Sequence, residues 1–474
     1  MRRTKIICTL GPAVDSAENI AALLRGGMNG ARFNFSHGTH ESQLKMLQSL
    51  RAAERETGLA CASILDTKGP EIRIKTFENG PVTLKTGEKF TLCAFDTPGT
   101  EHEVSVTHAA LPDEIAPGTV ILIDDGLVSL RADRIADGRI FCAVTNGGRL
   151  SNNKSINIPG AQISLPTLTE RDIDDLRFGV EQGFDYVAAS FVRSALDVRT
   201  IRETLRSLGG DGIRIISKIE NQQGVDNMDE IIAESDGIMV ARGDLGVEIP
   251  ASRVPYIQRQ LVSRCLSAGR LVIIATQMLD SMIEEPRPTR AEVSDVANAV
   301  YGLASCVMLS GETASGKYPQ ESLRVMDEVV REAEKTTDYW GNFSSGRAES
   351  FSRGGISSAV THACCLTALE TNAAAIVTAT QSGFTAFMTA RRRPGCNIAA
   401  VTPDGRVFRQ MHLVWGVKPL LCAAKDTTDG LLDECRAAVK EAGLAKPGDT
   451  IVITAGSPAG RVGSTNLIRA EVLE

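Results

Sequence analysis

Eight short apolar runs, set in two blocks and separated by amphipathic stretches, constrain this chain more than any other feature. The runs are Lys5–Gly11, Ala31–Ser36, Cys61–Thr67, Tyr186–Val192, Ile213–Glu220, Gly237–Asp244, Leu271–Gln277 and Cys306–Glu312. Each has strand length and an apolar centre, as a parallel strand covered on both faces must have. Helical periodicity fills the intervals, as in Asn19–Leu24 behind the capping-box pattern Asp15-x-x-Glu18, and in Arg290–Leu303. Eight strands alternating with helices are what a (β/α)8 barrel of the TIM type requires. The long interval between the third and fourth runs must then hold an insertion. A chain of 474 residues also exceeds one compact core and divides into several domains.

The insertion differs in texture. Pro81–Gly87, Glu103–Val106 and Thr119–Gly126 alternate in period two between Gly and Asp turns, which predicts a small β-barrel or sandwich. It leaves from the C-terminal end of the third strand, where barrel active sites sit, so it is read as a lid. After the Gly/Ser-rich stretch 341–346 the chain alternates again. Ala375–Thr380, Ile398–Thr402, Lys418–Cys422 and Thr450–Thr454 read as strands and Thr427–Ala442 as a helix, giving a separate open α/β sheet. The expected division is a barrel over 1–69 and 168–344, an inserted lid over 70–167 and a C-terminal α/β domain over 345–474. A net charge of -7 argues against a nucleic-acid binder. Eleven cysteines without CxxC spacing indicate a reduced, cytoplasmic protein. No run approaches the length of a membrane span.

Polar groups crowd the ends of the runs: Arg32, Asn34 and Ser36; Asp66 and Thr67; Ser190; Lys218 and Glu220; Arg242 and Asp244; Thr276 and Gln277; Ser310 and Glu312. Lys218 and Glu220, at i and i+2, leave one face of their strand together. Charges there cost free energy unless paired or bound to an ion. Glu220 and Asp244 suit Mg²⁺ or Mn²⁺, with substrate oxygens and water completing the shell. Lys218, Arg32 and Arg73 add fixed positive charge for a phosphoryl group in transit. Asn34, Ser36, Asp66 and Thr67 are oxygen donors with one charge between them, which fits a monovalent cation. Gly311–Lys317 satisfies most of the P-loop pattern, but Tyr318 stands where Ser or Thr should be and Pro319 follows; a sharp turn is the better reading.

At these residues the chain resembles the pyruvate kinases. Ile215–Gly224, Thr4–Pro12, Arg32–Gly38, Leu65–Arg73, Met239–Glu248 and Ala275–Met282 all read as motifs of that family. The resemblance implies phosphoryl transfer from phosphoenolpyruvate to ADP, giving pyruvate and ATP in glycolysis. It implies that Lys218 stabilises the phosphoryl group and that Glu220 and Asp244 bind the divalent metal. Arg32, Gly243, Asp244 and Thr276 would border phosphoenolpyruvate, with Thr276 near the proton path, and Arg73 and Lys154 would face the nucleotide. Asn34, Ser36, Asp66 and Thr67 match a potassium site, and Glu71 is the form that accompanies potassium dependence. Thr380–Ala386 resembles a loop that cradles an allosteric effector's phosphate through Thr380, Ser382, Gly383 and Thr385. Phe384 replaces a frequent cation there, which argues against fructose 1,6-bisphosphate. Gly463–Asn466 is similar to relatives answering to AMP or sugar monophosphates, and a plain helix start without effector is the equal alternative. A homotetramer is the family expectation. The competing readings are a metal-dependent lyase or aldolase, which would need no ADP, and a non-catalytic paralogue, against which the intact Lys218, Glu220, Asp244 and Thr276 speak.

Overall fold

A computed structural model of the chain describes residues 1–345, 355–457 and 465–474. Its centre is a closed barrel of eight parallel strands. They are β1 (Lys5–Leu10), β2 (Gly30–Asn34), β3 (Ala62–Asp66), β4 (Tyr186–Ala189), β5 (Arg214–Ile219), β6 (Gly237–Ala241), β7 (Leu271–Ala275) and β8 (Cys306–Leu309). Each pairs with its sequence neighbour, and β8 closes on β1 in the register Lys5↔Cys306 to Cys8↔Leu309. The strands are buried on both faces almost throughout, which accounts for their apolar runs.

Several strands stop earlier than the apolar pattern suggests. β7 ends at Ala275 because Thr276 and Gln277 take φ of 66° and 54°, outside anything a strand allows. β6 ends at Ala241, and Arg242–Glu248 forms a short helix instead of continuing the strand. The first long helix is Ala17–Arg25, and its cap is Ser16, whose hydroxyl accepts the Asn19 N–H at 3.2 Å. The Asp15-x-x-Glu18 box is not used, because Asp15 is still in the αR conformation closing the preceding turn while Ser16 is extended, as a cap must be. Residues 311–314 form one helical turn, and Lys317 is an exposed partner of Glu284 at 2.5 Å, so no P-loop is built.

The lid is a seven-stranded sheet with a two-stranded ribbon beside it. Its edge strands, Ile72–Arg73 and Glu103–Ser105, meet through an Ile74↔Val106 bridge and the bonds Thr107 N–H to Arg73 O and Lys75 N–H to Ser105 O. The sheet thereby closes into a small barrel around Phe90, Leu92, Ile121, Leu130 and Ile140. The chain enters the lid past Gly69 and returns at the helix Glu170–Glu181. Asp172, fully buried, ties both stalks. Its Oδ2 accepts the Thr169 N–H (2.9 Å) and hydroxyl (2.6 Å), and its Oδ1 accepts the Gly69 N–H (3.0 Å). Gly69 has φ 71°, and a Cβ there would stand 2.8 Å from Ser190 Cβ, so only glycine fits.

The C-terminal domain is a five-stranded sheet: β9 (Ala375–Ala379), β10 (Asn397–Thr402), β11 (Val417–Leu421), β12 (Thr450–Gly456) and β13 (Thr465–Val472), in the order β11-β10-β9-β12-β13. All pairs are parallel except β12 with β13. β13 and the helix Gly355–Glu370 lie beyond the elements expected from the sequence. Of the 463–466 motif, Gly463 and Ser464 fall outside the described residues, as does Gly346 of the linker. The domain seals the floor of the barrel. Ile7, Ile64, Tyr186, Ile216 and Met308 from the barrel interior share one apolar cluster with Met411, Leu413, Val414 and Val417.

Candidate active site

At the barrel mouth four charged side chains form a chain of alternating sign. Arg32 Nε lies 2.5 Å from Asp66 Oδ2, Lys218 Nζ lies 3.2 Å from Asp66 Oδ1, and Lys218 Nζ lies 2.9 Å from Glu220 Oε1. Asp66 and Glu220 are each 1% exposed and Lys218 is 8% exposed, so these groups lean on one another rather than on water. Strand adjacency brings Arg32 and Asp66 together, since β2 and β3 are neighbours. β4, with its small Ala188 and Ala189, leaves room for Lys218 to reach across from β5. Lys218 also donates to Ser190 Oγ (2.7 Å), and Ser190 in turn donates to Thr67 O (2.7 Å). The Phe191 N–H donates to Glu220 Oε2 at 2.7 Å, an approach that requires Phe191 to adopt φ 56°.

Electrostatics follows from this packing. Burial opposes the Lys218 charge, and Asp66 and Glu220 more than offset it, so its pKa is raised and the ammonium is held. Burial likewise opposes Asp66 ionisation, but Arg32 and Lys218 reverse the outcome and its pKa is lowered. Glu220 is pushed up to about 7 by burial, with Lys218 pulling down and Asp244 pushing up. The field of Asp244 reaches both Lys218 and Glu220.

Thr276 and Gly243 form the opposite wall. The Gly243 N–H donates to Thr276 Oγ1 at 2.8 Å, and that hydroxyl donates to Ala275 O at 2.7 Å. A β-branched residue at positive φ is strained, and Arg242 holds it in place. Its guanidinium donates to Thr276 O (2.7 Å), Gln277 O (3.2 Å) and Ala275 O (3.3 Å), and is anchored by Asp295 at 2.5 Å.

Asn34 and Asp66 stand in register at the ends of β2 and β3, with Ser36 two residues on, its N–H donating to Asn34 Oδ1 at 3.1 Å. Thr67 follows, its hydroxyl accepting the Ser190 N–H at 3.2 Å. The structure thus collects all four oxygen donors on two adjacent loops. Among the described residues no cluster of three or more His, Cys, Asp or Glu side chains forms a cage. Two carboxylates that leave further positions to substrate and water fit Mg²⁺ and not an all-protein site.

Arg73 and Lys154 are lid residues with acid partners of their own: Glu71 at 2.5 Å and Asp124 at 2.8 Å. No hydrogen bond or ion pair links either to the Lys218 group among the described residues. A cavity lined by Glu71, Asn157, Gln222, Asp244 and Glu248 separates lid from barrel, and Asn157 Nδ2 crosses it to Glu248 Oε1 at 2.9 Å. In the C-terminal loop, Thr380 and Thr385 are buried, Gly383 takes φ 81°, and Thr385 Oγ1 meets Thr465 Oγ1 at 2.8 Å. The Ser382 carbonyl is taken by Arg214 at 2.5 Å.

Other contributors to the site stand outside the strand-end pattern. Thr9 Oγ1 accepts from Arg32 Nη1 at 3.1 Å. Arg171 Nη2 donates to Phe35 O at 2.7 Å, so with Asp172 one helix start grips both loops that carry Asn34, Ser36, Asp66 and Thr67. The capping-box spacing Thr169-x-x-Asp172 was the only sequence signal for these, and it says nothing of Gly69. Glu312, by contrast, spends its carboxylate on the Leu279 (3.0 Å) and Ser310 (2.7 Å) N–H groups and is structural.

Comparison with known proteins gives a consistent result. The family model described as pyruvate kinase, barrel domain, matches residues 1–323, and that described as pyruvate kinase, alpha/beta domain, matches residues 358–470. A pyruvate kinase of Geobacillus stearothermophilus is 47% identical over 474 residues, covering 100% of this chain and 80% of the relative. Those of Sporosarcina psychrophila and Staphylococcus saprophyticus are 45% and 44% identical, each covering 100% of this chain and 81% of the relative.

Proposed function

The chain belongs to the pyruvate kinase family, and from that premise we propose how its residues divide the work. It is a phosphotransferase that moves the phosphoryl group of phosphoenolpyruvate to ADP, yielding pyruvate and ATP in glycolysis. The observation that carries the assignment of roles is the buried Lys218 ammonium, held charged between Asp66 and Glu220 at the barrel mouth. A phosphoryl group in flight spreads negative charge over its equatorial oxygens, so fixed positive charge in a water-poor site lowers the barrier. Lys218 and Arg32 supply it, each oriented beforehand by the carboxylates beside it.

Glu220 and Asp244 would hold Mg²⁺ or Mn²⁺, and Asn34, Ser36, Asp66 and Thr67 would hold K⁺; bound there, the ions neutralise phosphate charge that the cationic side chains do not. Gly243, Asp244 and Thr276 border phosphoenolpyruvate. Thr276, its hydroxyl fixed by the Gly243 N–H, lies by the carbon that must be protonated once the phosphoryl group has left. Arg73 and Lys154 meet the nucleotide from the lid when their present partners, Glu71 and Asp124, give them up. The chain divides into a catalytic barrel (1–69 and 168–344), a lid (70–167) and a regulatory domain (345–474). A phosphorylated effector held by Thr380, Ser382, Gly383 and Thr385, a homotetramer and a cytoplasmic location complete the proposal. No described helix is long and apolar enough to cross a membrane.

The test is pyruvate formation from phosphoenolpyruvate and ADP, with Mg²⁺ and K⁺ each omitted in turn. Turnover that needs ADP and both cations is expected. Turnover without ADP, or indifference to K⁺, would overturn the corresponding part of the assignment.

A further inference from the structure

A cavity of about 530 Å³ lies between the outer wall of the barrel and the C-terminal domain, lined by none of the mouth residues. Arg202, Arg214 and Arg270 reach it from the barrel, and Ser382, Phe384 and Phe387 face them from the C-terminal domain. Three guanidinium groups around one cavity are unexpected in a chain of net charge -7, and their partners do not balance them. Arg202 meets Asp236 at 3.1 Å, but that carboxylate oxygen also accepts the Ile215 N–H at 2.9 Å. Asp211, the other acid on the wall, is paired outward with Arg206 at 3.1 Å.

Arg214 is held by neutral groups: Gln410 Oε1 at 3.0 Å, Ser382 O at 2.5 Å and the Phe387 ring at 4.5 Å. Arg270 donates to Ala233 O at 2.7 Å, and its buried Nε has no hydrogen-bond partner. Neither has a carboxylate at ion-pair distance among the described residues. Burial lowers the Arg270 pKa; Asp236 resists, and the charges of Arg202 and Arg214 push it further down. Partly buried cations that repel one another are costly unless an anion joins them. Planar guanidinium forks match the oxygens of a phosphate.

We propose that this cavity binds a small-molecule phosphomonoester, its dianionic phosphate among Arg202, Arg214 and Arg270 and its organic part against Phe384 and Phe387. Phe384 is 38% exposed, an aromatic face left open beside the cationic wall. The site goes beyond the loop cradle considered above, since it uses the barrel side of that loop. The cavity and the mouth share one strand: Arg214 is the first residue of β5, and Lys218 stands near its other end.

Calorimetric titration of the full-length protein with ribose 5-phosphate and with 5′-AMP, using ribose and adenosine as controls, tests this. Wild type and Lys218→Met are expected to bind a phosphorylated probe equally, which places the site outside the mouth. Arg270→Gln is expected to weaken binding about tenfold or more, the loss of one charged hydrogen-bonding group. If Arg270→Gln does not fold, judged by its thermal transition, Arg202→Gln carries the same expectation. Binding unchanged in the arginine variants but lost in Thr385→Val would overturn the cavity and leave the loop cradle standing. Binding lost only in Lys218→Met would return the anion to the active site. No binding of either phosphate by wild type would overturn cavity and cradle together.

Discussion

The two ends of the barrel both bury charge, and they do so in opposite ways. At the floor each charge is met by the chain itself. Lys5 Nζ donates to Val417 O at 2.7 Å. Asp185 accepts the Ser63 N–H and hydroxyl, each at 2.9 Å, and pairs with Arg409 at 3.0 Å. At the mouth Arg32, Asp66, Lys218 and Glu220 chiefly satisfy one another. Asp66 and Asp185 make the contrast sharp. Burial raises the pKa of either carboxyl, yet Asp185 comes out raised in spite of Arg409 and Arg51, while Asp66, with Arg32 and Lys218 both bonded to it, comes out lowered. Charges committed to backbone fix an assembly. Charges committed to each other can change partners when a ligand arrives, at no cost in secondary structure.

The largest effect should come from removing a mouth charge. Lys218→Met is expected to lower kcat on the order of 10³-fold or more, the range seen for a cation that stabilises a transferring phosphoryl group, with the circular dichroism spectrum retained. Near-normal kcat would make the mouth as structural as the floor. Next, tetramethylammonium in place of K⁺ should abolish most turnover while leaving the thermal midpoint nearly unchanged. Equal activity in both salts would empty Asn34, Ser36, Asp66 and Thr67 of their assigned role.

A smaller effect is expected of Asp172→Asn, which weakens the tie to Gly69 behind the mouth. The K⁺ concentration for half-activation should rise roughly tenfold, as for other residues that orient ligands from behind, with a lesser change in kcat at saturating K⁺. An unchanged K⁺ dependence would break the link between lid stalk and cation loops.

The smallest effect belongs to the floor. Burial, with Arg2 adding to it, lowers the Lys5 pKa to about 7, below its unfolded value of roughly 10.4. The unfolded chain therefore binds the extra proton between those values, and stability rises with pH across that window. Lys5→Met removes the penalty, so its gain in thermal midpoint should be greatest below pH 7 and shrink towards pH 10. A gain independent of pH would mean that Lys5 is not buried as a charge.

Periodicity made the barrel, the lid and most of the tail legible in the sequence, because burial on one or two faces writes itself into apolar spacing. Lys218 and Glu220 were legible together for the same reason, being two residues apart on one strand. The bridging position of Asp66 was not, since it depends on which strands close the barrel beside β3. The strand end at Thr276 was misplaced because the sign of φ leaves no mark on hydrophobic pattern, and the one at Arg242 because the short helix Arg242–Glu248 continues the apolar run without a break in it. Arg242 itself reads as a site charge, yet its guanidinium collects three backbone carbonyls. Asp172 and Gly69 are joined across the whole lid, a distance at which spacing carries no information.

The shared cluster beneath the barrel has a consequence for how the chain is made. Leu413 Cδ2 lies 2.7 Å from where a Cβ on Gly30 would be, so an early strand is shaped to receive a residue translated nearly four hundred positions later. Domains generally form in order as the chain emerges, but this barrel, complete in strands once β8 is out, still has an open underside. Until Met411–Val417 leave the ribosome, Ile7, Ile64, Ile216 and Met308 face water. The nascent enzyme therefore passes through a late, sticky interval in which its catalytic strands are present and its floor is missing.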